Sequence, residues 1–477
     1  VAEAQNNKTI LHRKEWQTMM PAITTTAANM FCCNSNDNLG RFTLYFCSVS
    51  VHYLYDHEND DWIQIASGAF SPAIAAGTCG TYTDWSGTFT ANGGSTTTIT
   101  VNVATHNLNG FVVGKTVEFL SGTAANVGLR RTILSILHPG GATGTITLTL
   151  DSAVTAVANN DTFRISSGRF WVCMGGTLVA ASFQVYDIAA GTWTQRTITG
   201  LPTPGTDCRM VTPGMVGVSY DSGTADVDSS TTNLECDGKG WTNDQWINYQ
   251  VRITGGTGCG QIKVITDNDA DTLVFAAGTD LDETSTFVIE GDENAIYHLG
   301  TNAKTMYKYS ISANTWSTVS PVLARATTPN VGMTADFVGK TGDTGWAAIT
   351  NIQDGRYIYS FTGNGTTTLD RFDIAAVTWL AISYHPLLTT FTTGDGSDWS
   401  GDHIYIVKEG SATVPQRVYA FDVVGNKMHP VTSDWYLGGA ALLGNKIWVR
   451  ALSSAGLVKW LYVLQSTATV LRRIMLF

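Results

Sequence analysis

Three aspartates at alternate positions, Asp267, Asp269 and Asp271, form a tight grouping of hard-cation ligands in the sequence. A calcium loop spaces its oxygen ligands in this way, but it also needs a glycine at its sixth position and a bidentate glutamate at its twelfth. Those positions hold Thr272 and Gly278, so the run reads as a solvated turn. The run DHENDD (56–61) sets His57 among four carboxylates, in the polar turn between two strand-like stretches, and reads the same way. GGTGCG (255–260) has the glycine content of a phosphate loop, yet no Lys-Ser/Thr follows it and strand-like stretches flank it. The nine histidines are dispersed, with no HExxH pair, no Cys/His spacing suited to zinc and no GxSxG elbow. A glycosidase draws its two carboxylates from distant parts of a chain, a pattern that no local motif displays. The expectation is a chain with no catalytic residue, no cofactor and no metal.

Composition narrows the field further. Charged residues make up 14% of the 477, against roughly 25% in an average globular protein, and the net charge is −11. Phosphate binding needs a basic footprint, and no basic cluster exceeds pairs such as Arg130/Arg131 and Arg472/Arg473, so no nucleic-acid partner is expected. Nowhere do 18 apolar residues run together, so no membrane span is expected either. The opening VAEAQNNKTILHRKEW has no apolar run of secretory-leader length. Eight cysteines without paired spacing, four of them (Cys32, Cys33, Cys47, Cys173) in strand-like stretches, read as reduced structural thiols made in a cytoplasm.

The elements are legible from a repeat. An aromatic residue is followed seven positions later by tryptophan at Tyr55/Trp62, Tyr186/Trp193, Tyr309/Trp316 and Phe372/Trp379, and degenerate copies follow at Phe421/Met428 and Leu464/Leu471. A run such as SFQVYD alternates like a strand, the middle residues turn, and the tryptophan opens a second strand. Each copy is a hairpin with a large apolar anchor. Six such hairpins cannot bury their anchors singly, and repeats of this length stack radially as propeller blades. The eight aromatic anchors therefore read as packing residues. Trp85, Trp241, Trp246 and Trp399 stand near loops and are the candidates for an interaction surface.

Spacing then divides the chain. Successive aromatic positions lie 131, 123, 63, 49 and 43 residues apart, whereas a four-stranded blade takes roughly 40 to 50. The two long intervals contain similar material. STTTITV, GKTVEFLSGTAANVGLRRTILSI, TITLTL and DTFRI in the first match STTNLEC, NYQVRITGGTGCGQIKVIT, DTLVFA and STFVI in the second. Each set reads as a small closed β-barrel, which protects its strand edges. The expected organisation is an N-terminal arm and first blade (1–80), an inserted β module (81–168), propeller (169–221), a second module (222–291), and the remaining blades with ring closure (292–477). The fold class is an all-β propeller of six blades, or seven if Trp16 builds another, with two small β-barrel inserts. ILHRKEWQTM near the start is placed to close the ring against the C-terminal VLRRIMLF.

Gly175-Gly176 at a strand end, followed by Tyr186-Asp187 and Trp193, resembles the kelch blade pattern. The stretch WTNDQWINYQVRITGGTGCGQIKVI (241–265) resembles a small β module that recurs in structural proteins of tailed-bacteriophage virions, through Trp246, Tyr249, Val251, Ile253, Gly258, Gly260 and Gln261. The first insert is a divergent copy, with Phe111, Val117, Phe119 and Gly128 at similar places and Arg130 or Arg131 where the glutamine falls. The resemblance implies a non-enzymatic virion protein of the tail or neck, assembled in the host cytoplasm with other virion structural proteins, as a homo-oligomer in a symmetric assembly. The alternative is a receptor-binding propeller that takes a host-surface glycan, as a tail fibre or capsid decoration; a glycan-active enzyme ranks below both.

Overall fold

The structure is a computed structural model. It describes residues 78–83, 88–103, 116–137, 144–165, 168–188, 191–202, 209–212, 220–258, 261–299 and 305–319, together with 17–18, 31–34, 42–46, 52–56, 61–65, 330–335, 357–362, 369–382, 396–400, 403–408, 417–422, 427–431, 446–451, 459–465 and 470–476. These residues are almost wholly β, in the layout of a β-propeller-like fold.

Most strands fall into four-stranded antiparallel sheets built in chain order. The first contains Phe31–Asn34, Phe42–Phe46, His52–Asp56 and Asp61–Ile65. The second contains Cys79–Thr83, Arg169–Cys173, Phe183–Asp187 and Thr192–Gln195; the third, Arg209–Val211, Ala295–Leu299, Met306–Ser310 and Thr315–Val319. Asn330–Ala335, Tyr357–Thr362, Leu369–Asp373 and Thr378–Ile382 make the fourth, and Gly396–Ser400, His403–Lys408, Arg417–Asp422 and Lys427–Pro430 the fifth. The sixth joins Lys446–Ala451, Lys459–Gln465 and Val470–Leu476 to Gln17–Thr18 from the other end of the chain. The leading strands of the six sheets neighbour one another in turn, and Lys446–Ala451 returns to Phe31–Asn34.

Because the sheets stack face to face, successive residues of one strand feed different cores. Phe170 and Val172 pack with Leu44 and Leu54 of the first sheet, whereas Trp171 and Cys173 pack with Tyr309 and Trp316 of the third. A strand buried on both faces reads as a continuous apolar run, and RFWVC is one.

The seven-residue repeat has a simple geometric meaning. Tyr55 and Trp62, Tyr186 and Trp193, Tyr309 and Trp316, Phe372 and Trp379, Phe421 and Met428, and Leu464 and Leu471 are Cα partners across their hairpins. The four aromatic pairs have ring centroids 4.8, 5.1, 4.9 and 5.2 Å apart. Three of the loops end on a residue in the left-handed region two places before the tryptophan: Gly191 (φ 66°), Asn314 (φ 53°) and Val377 (φ 53°). That residue turns the chain back so that the pair comes into register.

Two further units lie between sheet strands in the chain. The first, between Cys79–Thr83 and Arg169–Cys173, is a closed six-stranded barrel of Thr88–Gly94, Thr98–Val103, Thr116–Ser121, Arg130–Leu137, Gly144–Leu150 and Asn159–Ile165. The second, between Arg209–Val211 and Ala295–Leu299, has Asp221–Thr224, Asn233–Glu235, Tyr249–Gly255, Ile262–Asn268, Thr272–Phe275 and Thr286–Gly291 in the same neighbour order. Equivalence extends to a shared register shift, after Ile133 in one and after Ile265 in the other. The second unit departs from the expected barrel in one respect, since its first two strands form no ladder. A single backbone bond, from Asp226 N to Glu235 O, joins the strand ends (2.8 Å). Lys239 occupies the gap instead, its Nζ donating to Ser222 O (2.6 Å) and to Asp221 Oδ1 (2.9 Å).

Candidate functional site: a charged junction between two β modules

The two modules meet through the outer faces of equivalent strands. In Thr116–Ser121, Val117 and Phe119 point into the barrel core, so Glu118 between them points outward. In Tyr249–Gly255, Val251 and Ile253 point into the other core and Arg252 points outward. Glu118 and Arg252 are both buried nonetheless, Arg252 completely, because each face covers the other. Arg252 Nη1 donates to Glu118 Oε1 at 2.6 Å.

Four more charges complete the junction. Arg164 and Arg130, from strands that flank Glu118, approach its Oε2 at 2.7 and 3.5 Å. Arg130 Nη1 also donates across the interface to Glu290 Oε1 (2.6 Å). Glu290 accepts in addition from Arg252 Nε (3.0 Å) and Gln250 Nε2 (2.9 Å). Glu293, just before the strand Ala295–Leu299, accepts from Arg164 Nη1 (2.9 Å) and Arg252 Nη2 (3.0 Å). Three guanidiniums thus face three carboxylates, drawn from the first module, the second module and the root of the third sheet.

The electrostatics follow from this enclosure. Burial alone would raise the Glu118 and Glu293 carboxyls, but the arginines around them outweigh it. Arg252, Arg164 and Arg130 hold Glu118 below its ordinary value, and Arg164 and Arg252 bring Glu293 to about 2. Burial would lower the Arg130 and Arg164 guanidiniums, and the carboxylates instead raise both. Each of these four groups is thereby held in its charged form.

A second contact seats the pair on the sheets. Asn248, held at φ 67°, donates from Nδ2 to Ile374 O in the hairpin turn of the fourth sheet (2.9 Å). Tyr220 packs against both the second module's core and that of the third to fifth sheets.

The remaining sequence candidates separate clearly. Trp241 and Trp246 are each 7% exposed and belong to the second module's core, so neither offers an open face; Trp241 Nε1 donates to Asp221 Oδ2 (2.7 Å). Trp85 lies outside the described residues, as does the Trp399 side chain on Gly396–Ser400. Trp316 and Trp379 are buried anchors and Trp62 and Trp193 partly buried ones, against buried Tyr309, Phe372, Tyr55 and Tyr186. Trp316 also reaches the neighbouring sheet, donating from Nε1 to Thr197 O (3.0 Å). Asp269 Oδ1 accepts from the backbone N of Asp271 (3.0 Å) and Thr272 (2.9 Å), bonds that hold its carboxyl below the usual value. Asp271 Oδ1 takes the Lys239 backbone N–H (2.8 Å), so these carboxylates shape a turn. Residues 57–60 of the DHENDD run lie outside the described residues.

Sequence reasoning missed the junction. The available signal was a pair of opposite charges, Glu118 and Arg252, each between two core residues at matching places in sister modules. Charge is also partitioned between the modules: residues 221–291 hold thirteen carboxylates against three cations, a net −10 out of −11 for the chain. Those cations are committed inside the module or at the junction, Lys239 to Asp221, Lys263 to Ala277 O and Arg252 to the glutamates. The module's outer surface is therefore strongly acidic, with Asp228, Asp237, Asp244, Asp267, Asp280 and Glu283 exposed.

No protein-family model matches the sequence, and a search of curated proteins finds no match. Among solved structures, the chain is similar to "YCF48 bound to D1 peptide", with 9% identity over 96% of this chain and 94% of that one, at a TM-score of 0.31. It is also similar to the Kuenenia stuttgartiensis hydrazine synthase, with 10% identity over 39% of this chain, at a TM-score of 0.23. That match spans about half of the other chain, 47%.

Proposed function

We propose that this protein is a non-enzymatic structural component of a tailed-bacteriophage particle, in the tail or neck. In this reading the six sheets are the blades of one kelch-like propeller, and the units at 81–168 and 222–291 are inserts that it carries. The charged junction is the observation that supports the reading best. Four buried charges and two partly buried ones hold the inserts in one orientation, an arrangement suited to presenting a rigid surface to a neighbour and of no evident use to catalysis. The resemblance of 241–265 to modules of virion proteins points to the same class of neighbour.

The partner inferred here is another particle protein that offers a basic surface to residues 221–291. Association steered by opposite charges weakens as salt rises. Particles purified from an infected lysate provide the test. Mass spectrometry that finds this chain at a fixed, ring-like copy number supports the assignment; particles of full infectivity without it overturn it. A glycan platform on Trp241 and Trp246 forms no part of the proposal, because both rings stand in the module core.

A further inference from the structure

We propose that Cys79 and Cys173 form a redox-controlled disulfide that staples the two strands through which the chain enters and leaves the first module. The two residues are direct Cα partners in the antiparallel ladder between Cys79–Thr83 and Arg169–Cys173. Both are thiols in the structure, both are buried, and both face the core between the second and third sheets. Cys33 is opposite Leu44, and Cys236 lies in the second module's core. Among the described residues, Cys79 and Cys173 are the two cysteines that face each other.

Hydrogen bonding along the strand gives their spacing. Met174 N donates to Ser182 O (2.8 Å) on one side, and Gly175 N donates to Thr78 Oγ1 (3.2 Å) on the other. Since N–H groups alternate along a strand, that of Cys173 turns toward Cys79, which makes the two a hydrogen-bonded pair. The Cα atoms of such a pair stand about 5.5 Å apart, inside the window of about 4.4 to 6.8 Å that a disulfide spans. The Cβ atoms of a hydrogen-bonded pair stand about 5.5 Å apart, beyond the roughly 3.5 to 4.5 Å that a disulfide spans, so the bond must draw the two strands together, forms under tension and is readily reduced.

The oxidant is a small-molecule disulfide such as glutathione disulfide. One cysteine thiolate attacks a sulfur of that disulfide, giving a mixed disulfide and one free small thiolate. The second cysteine thiolate then displaces the other small thiolate. Two protein thiols lose two electrons, the disulfide gains them, and the two protons pass to the leaving thiolates. Because both sulfurs are buried, exchange waits on opening of Cys79–Thr83, which is an edge strand of its sheet. Once formed, the bond closes a covalent loop around the whole first barrel and prevents its two root strands from peeling apart.

The test uses the full chain, unfolded and refolded in a glutathione redox buffer, then alkylated, digested and mapped by mass spectrometry. A linked peptide pair containing Cys79 and Cys173, lost on mild reduction, is the expected result. The oxidised protein should also melt several degrees above the reduced protein, and Cys79→Ser should abolish that difference. A wild-type map without the Cys79 to Cys173 linkage overturns the proposal, as does an oxidised form that melts no higher than the reduced one.

Discussion

Arg252 has no exposed side-chain surface and makes ion pairs with Glu118, Glu290 and Glu293. Desolvating an ion costs several kcal/mol, and removing one partner of a buried pair strands the others, at about 3–5 kcal/mol. Arg252→Met should therefore lower stability by about that much, and a denaturation midpoint equal to wild type would contradict the junction's role. The pH response has a defined sign. Glu118 and Glu293 have folded pKa values below their ordinary values, so their stabilisation is complete above about pH 4.5 and disappears as pH falls toward about 2, the Glu293 value. Amide exchange of Thr116–Ser121 and Tyr249–Gly255 should stay slow at pH 5 and accelerate across that window. Exchange that is already fast at pH 5 would mean that the modules part without protonation.

At the scale of the element, the hairpin loop has one demanding position. Gly191 and Asn314 suit the left-handed region, whereas Val377 is β-branched and occupies it while packing against the core of the third to fifth sheets. Gly191→Val should cost about 1–2 kcal/mol, because its side chain meets the left-handed backbone penalty. Equal thermal midpoints for Gly191→Val and wild type would show that the loop can re-form without that conformation. The strands themselves were legible because aromatic and apolar residues recur at the spacing of Cα partners. The open ladder of the second module was not, since it depends on Lys239 Nζ reaching Ser222 O, a contact between segments that the pattern of strands does not encode.

For the molecule as a whole, Gln17–Thr18 pairs with Val470–Leu476, Gln17 opposite Arg473 and Thr18 opposite Arg472. Strand edges left unpaired invite association with other chains. Deleting residues 1–20 should expose that edge, lower the melting temperature and promote aggregation, measured by light scattering during a thermal ramp. A truncated protein that stays monodisperse and melts like the full chain would show that the pairing contributes nothing to cohesion.

The sequence by itself determined what is periodic: the hairpins, their aromatic anchors, and the likeness of two long intervals. These follow from local alternation and fixed spacing, which any strand must obey. Only the tertiary structure decided what the alternating outward residues face. In the triplets VEF, VRI and FRI a charge between two core residues reads as a solvated face, and the one contrary sign is that Glu118 and Arg252 carry opposite charges at matching places in the sister modules. Docking of one module on the other turns that face inward, and a charge that a strand would present to water becomes part of the junction that holds the modules together.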